Sequence, residues 1–203
     1  MAVELRPLTP EDAEAHCAGE DGETVRWLTA GYSTIEAAQA HFDVLADNAA
    51  ADRGKRGYGV WRDGRLAGYV DFDPDVRDGL EPGDVNLSYA VHPWARRSGV
   101  ASEAVLAVCE ELRQRGTARR AAIRVEPDNT ASVRVAEKCG FHHVRCFTSS
   151  TDFHQDGSPL ILSLYVLPLR DRDAPSAAVG IGCGGVPLSP HFPLRDVRQH
   201  PEL

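Results

Sequence analysis

An α+β fold, built on a mixed and mostly antiparallel central sheet flanked by helices, is predicted by three observations. Tyr58-Gly59-Val60-Trp61 and Leu66 to Phe72 are apolar runs on either side of Asp63-Gly64, a dipeptide that favours a tight hairpin. Ala101, Ala104, Val105, Val108 and Leu112 recur at helical spacing, with Glu103, Glu110, Glu111 and Gln114 on the opposite side. Strand-like and helical segments then follow one another along 203 residues, enough for one domain with a sizeable core and too few for two ordinary ones. Each amphipathic helix therefore needs a sheet face to cover.

In chain order, Val3 to Leu8 reads as a first strand, and Thr9 begins a helix with Pro10 in its first turn. Glu11, Asp12 and Glu14 sit near that helix's positive end. Val25-Arg26-Trp27-Leu28 is apolar but short, and its element type stays open. A helix from about Thr34 through Ala51 carries Ile35, Ala38, Phe42, Leu45 and Ala49 on one face. After the hairpin comes a loop rich in Asp, Gly and Pro from Asp73 to Asp84, and then a strand from Val85 to Val91. Helix Val100 to Arg115, strand Ala121 to Val125, helix Asn129 to Cys139, and strands Val144 to Phe147 and Leu160 to Val166 complete the pattern.

From Arg170 onward, prolines, glycines and charges interrupt any period, which sets a domain at 1–169 and a tail at 170–203. Gly180 to Gly185 lacks the strand-to-helix setting of a dinucleotide loop. The tail's few apolar residues are available to pack on the domain or on a second subunit, as in a homodimer.

Aspartate and glutamate outnumber lysine and arginine by 30 to 22, a net charge of -8 that disfavours a nucleic-acid footprint. The first residues form no long apolar leader and no run approaches a membrane span, so a cytoplasmic protein without membrane attachment is expected. Five cysteines, an odd number with no C-x-x-C pair, argue against a disulfide framework or a zinc knuckle, and the histidines lack metal-ligand spacing. No metal is expected.

The stretch Arg96-Arg97-Ser98-Gly99-Val100-Ala101 follows a strand and opens a helix. The first N–H groups of a helix have no intrahelical partner, and with the positive end of the helix dipole they form an anion site that a residue without a side chain lets a diphosphate approach. Arg96 and Arg97 add charge there. The other reading is a helix start capped by Ser98 with solvated arginines. From this stretch alone both remain open.

With these elements placed, the chain resembles the GCN5-related N-acetyltransferases (GNAT), and within them the RimJ/RimL-like group, over about residues 3–168. The family pattern Q/R-x-x-G-x-G/A is matched by Arg96, Gly99 and Ala101, with Arg97, Ser98 and Val100 between, and a second match runs from Asn129 through Ser132 to Gly140-Phe141. The resemblance implies a GNAT fold and acetyl-coenzyme A as cofactor. Its diphosphate would lie at residues 96–101 and its arm between the strands ending at Val91 and Val125, with contacts from Asn129 and Ser132. The implied activity is direct acetyl transfer to a primary amine of a small molecule or a peptide N-terminus.

Many family members carry a tyrosine seven residues after the matched asparagine, and this chain has Ala136 there. Ser132 is a weak substitute for that proton donor. Asp71 and Asp73 at a strand end, or Tyr89 and Ser88 beside the cofactor groove, are candidates to orient the amine or pass its proton through water; Asp71 and Asp73 serve equally as a strand end and turn cap. The missing tyrosine also leaves room for a noncatalytic acyl-coenzyme A sensor or interaction module. Glu20, Asp21, Glu23, Asp75, Asp78, Glu81 and Asp84 either favour a cationic acceptor or simply solubilise their loops.

Overall fold

The computed structural model describes residues 2–29 and 31–169, so the expected tail from 170 to 203 lies outside the described residues. The chain forms β1 (Glu4–Arg6), a 3-10 turn (Pro10–Asp12), α1 (Ala13–Cys17), α2 (Gly22–Thr24), a π-helical turn (Val25–Thr29), α3 (Ile35–Ala50), β2 (Arg56–Arg62) and β3 (Arg65–Asp73). There follow β4 (Asp84–Val91), a 3-10 turn (Pro93–Ala95), α4 (Val100–Arg115), β5 (Arg120–Val125), α5 (Thr130–Lys138), β6 (His142–Phe153) and β7 (Pro159–Pro168).

Local chemistry accounts for these boundaries. Thr34 Oγ1 accepts from Ala37 N–H at 3.2 Å and starts α3, and Asn129 Oδ1 accepts from Ser132 N–H at 3.1 Å and starts α5. Asp63 and Gly64 both adopt positive φ, 52° and 74°, the twist that a two-residue hairpin turn between β2 and β3 requires. The element of open type at Val25–Thr29 is the π-helical turn that extends α2.

The sheet has seven strands in the order β1-β2-β3-β4-β5-β7-β6, and every neighbouring pair is antiparallel except β4 and β5. This is the mixed, mostly antiparallel sheet expected from the sequence. Val70, Phe72, Val85 and Leu87 face α4, whose Val100, Ala104, Val105, Val108 and Leu112 complete the main core. The other face is covered by Leu8, Ala13, Ala38, Phe42 and Leu45 around Leu66, so α1 and α3 lie opposite α4. Phe42 is 1% exposed, and Phe42→Ala would cost about 3 to 5 kcal/mol.

Two expectations are corrected. Ile35 and Ala49 are exposed, because the contact face of α3 narrows to Ala38, Phe42 and Leu45 at its middle. The strand placed at Val144 to Phe147 runs from His142 to Phe153; as an edge strand it is exposed along most of its length, so no alternation of apolar residues marks its ends. Among the described residues, no helix is long and apolar enough to cross a membrane.

Candidate functional site

The parallel pair β4 and β5 is short. Asp84 stands opposite Arg120, Val85 opposite Ala121 and Asn86 opposite Ala122, and the pairing stops there although β4 continues to Val91 and β5 to Val125. On its other side β4 stays paired with β3 to its end, where Gly68 stands opposite Val91 and His92 N–H donates to Ala67 O at 2.8 Å. The alternation of an antiparallel ladder then turns the N–H and C=O of Val91 and Tyr89 away from β3, toward the open side. The two strands thus splay and present backbone hydrogen-bonding groups along a free edge.

The segment after β4 folds back on this edge. Arg96 Nε donates to Val91 O at 3.0 Å, and its two terminal nitrogens grip Asp21, Nη1 to Oδ2 at 2.6 Å and Nη2 to Oδ1 at 2.7 Å. Arg97 takes a left-handed φ of 58°, uncommon for a residue with a side chain, and is exposed. Ser98 Oγ donates to Ala95 O at 2.5 Å and accepts from Arg62 Nη1 at 2.7 Å, so it does not cap the helix. The N-cap is Gly99 at φ 91°, with no side-chain cap, followed by buried Val100 and half-buried Ala101. The helix start therefore has uncapped N–H groups beneath a residue without a side chain. Glu103 lies close by, its Oε2 accepting from Val3 N–H at 3.1 Å.

Tyr89 and Ser132 are brought together. Tyr89 Oη lies 2.8 Å from Ser132 Oγ and 3.3 Å from Ser132 O, which ties β4 to the first turn of α5. Burial pushes the Tyr89 hydroxyl up to about 12, against the pull of Ser132, and keeps it protonated near neutrality. Asn129 uses its carbonyl oxygen as the α5 cap, which leaves its amide NH2 as the donor. Ala136, at the place of the missing tyrosine, is fully buried in the main core.

Asp71 is not part of this group. It stands opposite Ser88 in the β3–β4 register, on the α1 and α3 side of the sheet, whereas Tyr89 shares the other side with Val70. Asp71 lines a cavity of about 190 Å³ together with His16, Glu20, Ser33, Lys55 and Tyr69. Lys55 Nζ sits 3.1 Å from Asp71 Oδ2, and Oδ1 has no hydrogen-bond partner. Burial raises the Asp71 carboxyl to about 6, although Lys55 and Ser88 pull it back. His16 packs edge-on against Phe42, and burial lowers its pKa.

The sequence marked Glu20 only as one of several acidic loop residues suited to a cationic acceptor, and it did not mark Lys55 or His16, because the segments that gather them are distant in the chain. Asp71 was singled out by its place at the end of an apolar strand. The acidic loops have mostly structural partners: Asp21 on Arg96, Asp84 on Arg120 at 2.6 Å, and Asp78 on Arg124 at 3.0 Å. Although burial works to raise it, hydrogen bonds from Ser150 and Ser149 and the Arg124 charge hold the Asp78 carboxyl at about 2. Glu20 accepts from Ser33 N–H at 2.7 Å and Ser33 Oγ at 2.8 Å, and Glu23 from Trp27 Nε1 at 3.0 Å. Cys109 and Cys139 are buried as expected of core thiols, with the Cys109 thiol pushed by burial to about 12, whereas Cys146 is exposed on β6.

Comparison with known proteins bears on the family and the fold. The family profile described as "Acetyltransferase (GNAT) domain" matches residues 2–142. No curated protein sequence matches the chain. Among solved structures, RimL, the ribosomal L7/L12 alpha-N-protein acetyltransferase in complex with coenzyme A, superposes with a TM-score of 0.71 at 18% identity, over 83% of this chain and 94% of that one. The microcin C7 self-immunity acetyltransferase MccE, in complex with acetyl-CoA and AMP, gives 0.69 at 15% identity, over 82% and 92%. An N-acetyltransferase from Staphylococcus aureus Mu50 gives 0.64 at 21% identity, over 84% and 100%. At such identities the structures speak for the fold alone, and the profile match, which spans more than half of the chain, speaks for the family: the chain belongs to the GNAT acetyltransferases.

Proposed function

We propose that residues 1–169 transfer an acetyl group from acetyl-coenzyme A directly to a primary amine, on a small molecule or a peptide N-terminus, with residues 170–203 as an appended tail. The observation that carries this reading is the break in β4–β5 pairing after Asn86 and Ala122, with the Gly99 helix start at one end of the open edge and the Tyr89–Ser132 hydroxyl pair along it.

Acetyl-coenzyme A supplies a thioester whose carbonyl carbon is open to an amine. The residues present fit it. The N–H groups opening α4 suit a diphosphate, and Gly99 keeps side-chain bulk out of the approach. The Val91 N–H and the Tyr89 backbone groups suit the amides of the arm, the Val91 carbonyl being held by Arg96, and the Asn129 amide adds a donor. Arg96 serves this site indirectly, by holding the loop to the end of β4 and to Asp21.

In the transfer a C–N bond forms, a C–S bond breaks, the nitrogen gives up a proton and the sulfur gains one. Tyr89 holds its proton at Oη, in contact with Ser132 Oγ, and donates toward the sulfur side. Asp71 and the cavity around it lie across the sheet, where the carboxylate orients the amine and takes its proton through water. RimL is described as acting on a protein α-amine, which supports the peptide N-terminus as an acceptor.

A second reading, a noncatalytic acyl-coenzyme A sensor, is favoured by the buried Ala136 in place of the usual hydroxyl. A coenzyme A-release screen across aminoglycosides, polyamines, amino acids and N-terminal peptides separates the two. Release with a primary amine supports transfer. Saturable acetyl-coenzyme A binding without release from any class favours the sensor, and no binding at all overturns both.

A further inference from the structure

We infer that the cavity lined by Asp71 receives the acceptor's head group, and that it takes one compact, singly charged primary ammonium, free or at a peptide N-terminus, in preference to an amine on a rigid ring. Calling that ligand the acceptor rests on the acetyl-transfer reading; the binding chemistry does not.

Asp71 is 4% exposed; its Oδ1 has no hydrogen-bond partner, while Oδ2 is held by Lys55. A buried carboxylate oxygen without a partner is costly, and an ammonium brings three donors in a small volume. The cavity's charges point the same way. With the imidazoles neutral, the carboxylates of Asp71 and Glu20 face the single ammonium of Lys55, one negative charge in excess. Both Glu20 oxygens already accept from Ser33, so the buried acceptor left without a partner is Asp71 Oδ1.

Size sets the second limit. At about 190 Å³ the cavity is somewhat larger than the roughly 150 Å³ that accommodates benzene, so it admits roughly six to eight non-hydrogen atoms. Drug-sized ligands occupy pockets of about 300 Å³ or more. The floor of the cavity is also close to the reaction edge. Tyr69 and Asp71 stand opposite Ala90 and Ser88 of β4, one strand from the open side.

The test is calorimetric and NMR titration of the full chain, without acetyl-coenzyme A, using alaninamide, trialanine amide, lactamide and 2-deoxystreptamine. Lactamide is the neutral isostere of alaninamide, and 2-deoxystreptamine is a rigid ring diamine. Alaninamide or the trialanine amide should bind, with amide shifts at Gly57, Tyr69, Val70 and Asp71. Lactamide and 2-deoxystreptamine should be at least tenfold weaker. Binding of the peptide alone would assign the head to a peptide N-terminus, and binding of alaninamide alone to a free amine. Asp71→Asn should weaken the amine at least tenfold; if that variant does not fold, the comparison with lactamide on the unaltered protein decides. Equal affinity for lactamide or 2-deoxystreptamine, shifts confined to another surface, or no binding by either amine would overturn the inference. Because no cofactor is present, such a failure leaves the acetyl-transfer reading to the coenzyme A-release screen.

Discussion

Tyr89 Oη lies 2.8 Å from Ser132 Oγ, a contact that joins the open edge of β4 to the first turn of α5 although the two residues are 43 positions apart. The pair puts a protonated hydroxyl beside the splayed strands while the position of the usual family tyrosine is filled by Ala136. Tyr89→Phe keeps the ring and removes the hydroxyl. It should lower kcat by about 10²-fold, at the low end of general acid contributions, with little change in acetyl-coenzyme A affinity. Ser132→Ala, which removes only the hydroxyl's partner, should cost about tenfold less. Steady-state kinetics alongside a binding titration reads both, and an unchanged kcat in Tyr89→Phe would remove Tyr89 from the mechanism.

Asp71 carries a pH signature. Its carboxyl titrates near 6 in the folded chain, raised by burial from about 4 in an unfolded one. The folded state then holds a proton that the unfolded state has lost, so this group's contribution to stability is complete below about pH 4 and disappears as pH rises through 6. A gap of about 2 units corresponds to on the order of 3 kcal/mol. Relative to Asp71→Asn, the unaltered protein should lose stability by roughly that amount between pH 4 and 7 in denaturant titrations. A constant difference between the two proteins would show that Asp71 titrates normally.

Asp21 has the opposite sign. The Arg96 guanidinium beside it, with help from Thr24, holds its carboxyl well below the usual range. The stabilisation is present above about pH 4 and is lost as pH falls below it. Both side chains are about a third exposed, so solvent screens the pair, and Asp21→Asn should cost only about 1 kcal/mol at pH 7. Because the bridge ties α2 to the loop before α4, which Arg96 holds in place for the diphosphate, the same variant should raise KM for acetyl-coenzyme A more than KM for the amine. Equal changes in the two constants would contradict this positioning role.

Direct transfer requires no acetylated enzyme. Cys109 and Cys139 are buried with raised thiol pKa values, unlike an activated nucleophile. Cys146 is exposed and lies 3.7 Å from His143 Nε2, which makes it the thiol to watch. Intact mass after mixing with acetyl-coenzyme A and no acceptor should show no acetyl adduct formed at the rate of turnover. A kinetically competent adduct on any of the three cysteines would contradict direct transfer.

The order of elements was legible because period and turn chemistry agree locally: Asp63-Gly64 for the hairpin, Thr34 and Asn129 as caps, and the apolar stripe of α4. Gly99 was legible as a helix start for the same reason. Tertiary partners were not. Nothing near Arg96 in sequence indicates that its fork closes on Asp21, 75 residues away, and nothing near Asp71 indicates Lys55 or the cavity. The acidic loops looked available to a cation until their arginine partners were placed beside them. The edge strand β6 escaped its bounds because an exposed strand needs no alternation.

The most direct test of the central claim, that the Gly99 helix start and the splayed strands hold acetyl-coenzyme A, is calorimetric titration of acetyl-coenzyme A into the unaltered protein, Gly99→Ala and Gly99→Asp. At φ 91° any side chain adds strain, and a Cβ would lie 3.4 Å from Glu103 Oε1, so alanine reports strain and bulk alone while aspartate adds a second carboxylate at the phosphate approach. Saturable binding by the unaltered protein, weakened modestly in Gly99→Ala and at least tenfold further in Gly99→Asp, is the predicted result. No binding by the folded protein, or equal affinity in Gly99→Asp, would contradict it.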